Sequence, residues 1–176
     1  MAAAVSFQGN PAEGHARIDH KFAHDYLSYD AGVTLQPCVK ASCYFRQKKD
    51  VSFEHFDKHW GSVHADLTVA SEPFAQYNVL RYVQHHTSPE EKARLAKIGQ
   101  NVLDFDGCST LWFRNWDDYE KFFTSPNFAE LVADGDLFMD TSSITVYAGH
   151  DMIAFGKAHP DIDASDGITK PNTVRS

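Results

Sequence analysis

Apolar residues recur along the chain at two different spacings, which predict strands and helices. Over Cys38–Gln47 they occupy every second position, the pattern of a strand with one buried face. From Phe53 to about Val69 they recur every three or four positions, which predicts an amphipathic helix with Ser52 as its N-cap and Pro73 beyond its end. The apolar stripe of this helix consists of Phe53, Phe56, Trp60, Val63 and Leu67.

The rest of the chain continues with strands and helices in turn. We expect a second strand over Ala75–His85, a short helix over Pro89–Ile98, a third strand over Gly107–Arg114, helical segments over Asp117–Phe122 and Phe128–Ala133, and a fourth strand over Ile144–Gly149. In the second strand, Tyr77, Val79, Arg81 and Val83 should share one face, with Asn78, Leu80 and Tyr82 on the other.

The order of these elements is the βαββαβ pattern of a ferredoxin-like α+β fold. In this fold two helices cover one face of a four-stranded antiparallel sheet, so the other face needs a second cover. Because an exposed sheet face would form a large apolar patch, we expect two copies to pair as a homodimer.

The segments that flank this unit have a different character. We expect residues 1–36 to form an arm, residues 37–156 the folded domain and residues 157–176 a flexible polar tail. Within the arm, four apolar residues at spacings of four and three predict an amphipathic helix: Ile18, Phe22, Tyr26 and Tyr29.

Composition and charge exclude several classes of protein. The 176 residues carry a net charge of −8 without any basic block, which argues against a nucleic-acid-binding protein. The sequence contains no run of the ~20 apolar residues that a membrane span needs and no signal-peptide pattern, so we expect a cytoplasmic protein without a membrane partner. Cys38, Cys43 and Cys108 are interpreted as small buried apolar residues.

Thirteen phenylalanines and ten histidines make aromatic and titratable side chains unusually frequent. One histidine, His64, lies only about 40° from Trp60 around the helix and therefore points towards the sheet. It is either a core imidazole with a satisfied hydrogen bond or the acid or base of a ligand cleft. His59 lies at the edge of the same stripe and is the second candidate.

Other chemistries find little support in the sequence. His55 and His59 are four residues apart, but the Glu of a His-Glu-x-x-His zinc site is missing, so no metal is expected. The chain contains no glycine-rich nucleotide loop and no Gly-x-Ser-x-Gly motif, so no cofactor is expected either.

The motif that carries a resemblance begins at Phe45-Arg46 and continues through Ser52-Phe53-Glu54, Phe56 and Trp60 to His64-Ala65. Together with Gly107, the Leu111–Phe113 segment and Asp134 to Asp140, it resembles the EthD-domain family of dimeric α+β barrel proteins over about residues 38–150. The resemblance implies that the helix histidine, His64, faces a ligand cleft. Many members end the last strand with a glutamate, whereas this chain reads Val146-Tyr147-Ala148-Gly149-His150, so no role for that carboxylate is carried over.

The arm and tail resemble those of fungal members of the family that act in aromatic polyketide pathways. The resemblance implies a cofactor-independent lyase, a decarboxylase or dehydratase, acting on a polyphenolic keto acid. We expect His64 to transfer the proton, assisted by a hydrogen bond from His59, Tyr44 or Tyr77. The aromatic wall of the pocket would consist of Phe45, Phe56, Trp60 and Trp112. The alternatives are a cofactor-free anthrone or quinol oxygenase, a cyclase, and a non-catalytic small-molecule-binding protein.

Overall fold

The computed structural model of the chain describes residues 5–7, 18–20, 22–27, 31 and 33–155. The strands are β1 (Val5–Phe7), β2 (Ile18–His20), β3 (Val39–Gln47), β4 (Val79–His86), β5 (Gly107–Phe113) and β6 (Met139–Gly149). The α-helices are α1 (Phe53–His59), α2 (Ala65–Ala70), α3 (Glu72–Gln76), α4 (Pro89–Lys97), α5 (Trp116–Thr124) and α6 (Ala129–Phe138). A π-helical turn, Trp60–His64, joins α1 to α2, and a 3₁₀ turn, Pro126–Phe128, joins α5 to α6.

The main sheet has the strand order β4-β5-β3-β6, and every neighbouring pair is antiparallel. With a helical segment between β3 and β4 and another between β5 and β6, this is the ferredoxin-like α+β fold that the sequence predicts. The strands β1 and β2 pair separately with each other.

Alternation along β3 assigns each residue to one face of the main sheet. Val39, Ala41, Cys43 and Phe45 face the helices and are buried. Lys40, Ser42, Tyr44 and Arg46 point to the opposite, uncovered face. Since residues paired across strands share a face, Trp112, opposite Lys40, and Tyr147, opposite Ser42, also belong to the uncovered face.

The long predicted helix is interrupted by the π-helical turn. Ser52 caps its start, accepting a hydrogen bond from the backbone N–H of His55, as expected. Within the turn, the Ala65 N–H donates to the Trp60 carbonyl five residues earlier, which advances the buried stripe by one position. Val63 and Leu67 were therefore wrongly assigned to the buried stripe. They are 46% and 41% exposed, whereas Thr68, one position later, is only 5% exposed.

The second strand begins later than predicted. Residues 75 and 76 end α3, and Tyr77 is the residue that follows that helix, so it is not on a strand. Asn78 has a positive φ of 50°, and the pairing with β5 shifts between Val79 and Arg81. Because of this irregularity Tyr82 packs on the helix-covered face together with Val79, contrary to the predicted alternation.

The last helix and strand are longer than expected. Helix α6 continues to Phe138, five residues beyond the predicted end, and β6 begins at Met139 instead of Ile144. The short helix α4 agrees with its prediction and has a capping box formed by Ser88 and Glu91.

The predicted helix of the arm is wrong where it can be compared. Ile18 lies in β2, and among the described residues between Phe22 and Leu27, residues 25–27 form a short 3₁₀ turn. Tyr29 and the predicted tail, residues 157–176, lie outside the described residues. Two residues of the predicted arm contact the chain beyond β6: Leu35 pairs with Met152 in an isolated bridge, and Gln36 N–H donates to the Asp151 carbonyl.

Candidate active site

A cavity of about 400 Å³ lies between the helix-covered face of the sheet and the helices above it. This volume falls within the range of small-molecule sites. The apolar lining comes from Phe45, Leu111, Phe122, Phe123, Phe128, Leu131, Val132, Met139, Ile144 and Val146, and the more polar lining from Cys43, His64, Thr68, Tyr82, Ser109, Tyr119, Thr141 and the backbone of Gly135.

His64 reaches this cavity from the last position of the π-helical turn. Its Nδ1 lies 2.8 Å from Asp134 Oδ2, and its side chain is only 12% exposed. The ring packs edge-on against Phe138, with centroids 5.1 Å apart. Among the described residues, none bonds the other ring nitrogen, Nε2. The structure therefore places a histidine on the cavity wall with one nitrogen held by a carboxylate and the other open to a ligand.

Asp134 joins two of the histidines on the helix. Its Oδ1 lies 3.0 Å from Nε2 of His59, while its Oδ2 contacts His64. His59 does not line the cavity; its ring packs against Phe138 and stacks on His55. His59 is thus connected to His64 through the carboxylate of Asp134.

Sequence reasoning did not select Asp134 as a site residue. The predicted helix ended at Ala133, one residue short of it. The sequence pattern that points to Asp134 is the spacing of Leu131, Asp134 and Phe138. These residues lie three and four positions apart and therefore share one face of a longer helix.

The surroundings of His64 favour its neutral form. Burial lowers the pKa of His64 from its ordinary value of 6.5, while the hydrogen bond and the charge of Asp134 act in the opposite direction and a nearby charge on His59 lowers it further. Because a carboxylate only accepts, the neutral ring donates from Nδ1 to Asp134 and leaves the lone pair of Nε2 for the cavity. Such a group accepts a proton at Nε2, and the resulting imidazolium is balanced by Asp134.

The predicted assistants of His64 lie elsewhere. Tyr44 is on the uncovered face of the sheet, where its ring packs near Phe105. Tyr77 packs against the core cluster around Val39 and Phe113 and does not line the cavity.

The predicted aromatic wall is divided between three places. Phe45 lines the cavity. Phe56 and Trp60 are fully buried beside Phe45 in a cluster that supports the cavity without lining it. Trp112 lies on the uncovered face, with Lys40 Nζ 5.6 Å and the Arg81 guanidinium 5.2 Å from its ring centre. The phenylalanines of α5 and of the turn that follows it line the cavity instead.

Cys43 also lines the cavity, but it is not an activated thiol. Burial, together with the nearby Cys108, raises the pKa of Cys43 to about 12. Cys38 and Cys43 are buried and Cys108 is partly buried. Within residues 33–155 and the described parts of the arm, no group of three or more His, Cys, Asp or Glu side chains is arranged to hold a metal ion.

Fold and cavity together define a ferredoxin-like α+β domain with a histidine–aspartate pair at an apolar pocket. A family model described as the EthD domain matches residues 48–142, which is more than half of the chain. The chain belongs to the EthD family, as the residues around His64 indicated.

Two curated relatives show how far the similarity extends. The chain is 31% identical over 98 residues to a protein named decarboxylase nsrE from Aspergillus novofumigatus, which covers 53% of this chain and 65% of that protein. It is 31% identical over 100 residues to a protein named decarboxylase claH from Passalora fulva, covering 54% of this chain and 64% of that one. The chain thus spans slightly less than two thirds of the length of these relatives.

Solved structures were found at lower similarity. A hydroxynitrile lyase from Passiflora edulis is 15% identical with a TM-score of 0.48, covering 69% of this chain and all of the other. An EthD-family protein from Bacillus halodurans is 17% identical with a TM-score of 0.46, covering 65% of this chain and 99% of the other. No helix among the residues that the structure describes is long and apolar enough to cross a membrane.

Proposed function

We propose that the protein is a cofactor-independent lyase that decarboxylates a flat aromatic polyketide or polyphenolic keto acid. The observation that carries this proposal is the His64–Asp134 pair on the wall of an otherwise largely apolar cavity of about 400 Å³. Two relatives named decarboxylases support it and favour loss of CO₂ over the dehydratase alternative.

The geometry supports a reaction in which one histidine carries one proton. Nε2 of His64 takes the proton of the substrate carboxyl group, and Asp134 stabilises the imidazolium that forms. The bond between the carboxyl carbon and its neighbour then breaks, CO₂ leaves, and the electron pair remains on the substrate as an enolate. The imidazolium returns its proton to the carbon that lost CO₂, so the acid is converted into CO₂ and the shortened product without a redox partner.

The apolar lining favours both binding and catalysis. Phenylalanine rings from α5 and the turn after it provide flat surfaces for an aromatic substrate. In a pocket with few water molecules, the substrate carboxylate is poorly solvated, whereas the delocalised enolate loses less solvation energy. The charge of the Asp134–His64 pair also acts more strongly on the substrate there than in water.

The proposal is tested by replacing His64. We expect His64→Gln to lower kcat for decarboxylation of a polyphenolic β-keto acid by about 10²–10⁴-fold, the usual contribution of a general acid or base. The matched control is His55→Gln, the same substitution at an exposed histidine on the same helical segment that does not line the cavity. Carbon dioxide and the shortened product are measured by mass spectrometry, and folding of each variant by circular dichroism.

Different results would separate the other functions. Consumption of O₂ in an electrode, with no CO₂ from the carboxyl group, would indicate an oxygenase. Binding of the acid with no conversion at all would indicate a binding protein. Near-normal turnover of a folded His64→Gln variant would contradict the role of His64.

The same proposal includes the domain and its assembly. We propose that residues 37–156 form the folded unit, supported by the main sheet and its helices, all of which lie between Val39 and Gly149. We also propose that two copies form a homodimer through the uncovered sheet face, since one face of the sheet carries no helix.

A further inference from the structure

A chain of hydrogen bonds runs along β4 from the protein surface to the cavity. His86 Nδ1 lies 2.6 Å from Asp57 Oδ1, and His86 Nε2 lies 3.2 Å from Gln84 Oε1. Gln84 Nε2 lies 2.8 Å from the hydroxyl of Tyr82. Tyr82 lines the same cavity as His64, so the chain ends at the hydroxyl group of a residue on the cavity wall.

The direction of these hydrogen bonds is fixed by groups that can only accept. The backbone carbonyl of Trp60 lies 2.9 Å from Gln84 Nε2, so the amide nitrogen must face Trp60 and Tyr82, and the amide oxygen must face His86. His86 consequently donates to Gln84 from Nε2 and to the Asp57 carboxylate from Nδ1. The His86 ring stacks on Trp60 with centroids 4.1 Å apart, which holds it in place.

Tyr82 is the acceptor in its contact with Gln84, so its own O–H remains to be donated. Its other contact among the described residues is with Ser109 Oγ at 3.5 Å, well beyond the usual O–H···O distance of about 2.7–2.8 Å. A hydroxyl oxygen that accepts a hydrogen bond is also polarised into a better donor. The hydroxyl hydrogen of Tyr82 is therefore available to an oxygen atom of a ligand in the cavity.

We propose that Tyr82 is a catalytic residue that donates a hydrogen bond to the oxyanion developing on the substrate, and that Gln84 and His86 are its positioning residues. This inference rests on the proposed lyase function, in which C–C cleavage places negative charge on an enolate oxygen. Tyr82 keeps its proton throughout, because the transferred proton is carried by His64. The two groups thus have separate tasks in one cavity: proton transfer and stabilisation of charge.

A second tyrosine is the rival for this role. Tyr119 also lines the cavity, but no hydrogen bond among the described residues holds its hydroxyl. Gln84 holds that of Tyr82 in place, and a preorganised donor stabilises developing charge better than one that must first be oriented. We therefore predict that the hydroxyl group of Tyr82, and not that of Tyr119, stabilises negative charge on the ligand.

Steady-state kinetics test the catalytic part of this proposal. We expect Tyr82→Phe to lower kcat by about 10²-fold with little change in KM, as for loss of one oxyanion donor. Gln84→Met should give a smaller loss of kcat, and the double variant should be no slower than Tyr82→Phe, because Gln84 acts through Tyr82. The matched control is Tyr147→Phe, at an exposed tyrosine on the uncovered sheet face. A larger loss in Tyr119→Phe than in Tyr82→Phe, or losses that add in the double variant, would overturn the assignment.

A binding measurement tests the same hydroxyl without turnover. We would titrate 2-hydroxyanthraquinone bound to each variant, following the absorbance of its phenolate. The wild-type protein should bind the phenolate preferentially and lower the ionisation midpoint of the probe, and Tyr82→Phe should raise that midpoint while Tyr147→Phe does not. If no acid is decarboxylated but the midpoint still depends on Tyr82, the lyase proposal fails and the donor role stands. If turnover depends on His64 while neither kcat nor the midpoint responds to Tyr82→Phe, or if the wild-type protein does not bind the probe, the inference about Tyr82 is wrong.

Discussion

One carboxylate, Asp134, determines the chemistry of two histidines. It accepts from Nδ1 of His64 and from Nε2 of His59, yet only His64 reaches the cavity. We therefore expect His59 to influence the proposed reaction only through the protonation of His64, since the His59 ring does not line the cavity. Asp134 raises the pKa of His64, whereas His59 lowers it.

The pH dependence of activity should show these opposite effects. Burial lowers the pKa of His64 from 6.5, so the acid limb of kcat/KM should lie below pH 6.5. Asp134→Asn removes the charge that raises the pKa of His64, and the limb should move to lower pH. His59→Gln removes a group that lowers the pKa of His64, and the limb should move to higher pH. The profiles are measured by following CO₂ release across pH.

Stability should change in the same acid range. A buried histidine with a lowered pKa binds fewer protons in the folded than in the unfolded state, so the free energy of unfolding should fall as the pH drops below 6.5. His64→Gln should reduce this fall, which urea denaturation at several pH values would measure.

For the pH profiles of kcat/KM, shifts of the acid limb in the same direction for both Asp134→Asn and His59→Gln would contradict the opposite effects of these two residues on the pKa of His64.

At the scale of elements, the π-helical turn decides which side chains after Trp60 face the sheet and the cavity. Without the extra residue in the turn, the stripe that starts at Phe56 and Trp60 would continue through Val63 and Leu67. With it, His64 and Thr68 face inward. Thr68 donates to the His64 carbonyl at 2.7 Å, so the backbone at this widened turn keeps a hydrogen-bond partner.

The helical segment that contains this turn packs closely on the sheet at a glycine, Gly107 of β5. A Cβ atom at Gly107 would lie 2.8 Å from Phe45 Cε2 and 2.9 Å from Trp60 Cζ3, both in fully packed rings. We expect Gly107→Ala to lower the free energy of unfolding by about 1–3 kcal/mol, the usual cost of overpacking. The matched control is Gly149→Ala, on strand β6, where no atom lies within 4 Å of the added Cβ. Urea denaturation of both variants checks this, and equal stabilities would contradict the packing.

Sequence patterns predicted the elements far better than the side chains that reach the cavity. Period-two and period-three-to-four spacings gave the βαββαβ order and singled out His64, because both follow from regular geometry. The missing parts have different causes. The β4 pairing shift moved Tyr82 to the cavity face, and the extension of α6 beyond Ala133 brought in Asp134. Tyr44 was misplaced although the alternation along β3 puts it on the face opposite Phe45, and Trp112 was misplaced because it lies in an unbroken apolar run that does not distinguish the two faces.

At the scale of the whole molecule, the uncovered face of the sheet differs from the apolar patch expected of it. It carries Lys40, Ser42 and Arg46, and one of its large aromatic residues, Trp112, is covered by the cations of Lys40 and Arg81. Lys40 is also paired with Asp151. Self-association through this face would therefore depend on contacts at particular residues more than on burial of a broad apolar area, and a single substitution should be able to disrupt it.

Tyr147 is the residue on which to test this assembly, because it lies on the uncovered face and is 79% exposed. We expect the wild-type protein to sediment at micromolar concentration with about twice the monomer mass of 19.8 kDa. Tyr147→Glu would place a carboxylate next to its own symmetry mate or in a desolvated contact, and should shift the protein to the monomer. Leu137→Glu is the matched control, since Leu137 is a similarly exposed apolar residue on α6, which covers the opposite face of the sheet. A monomeric wild-type protein would contradict the homodimer, and a dimer that survives Tyr147→Glu but not Leu137→Glu would place the interface on another surface.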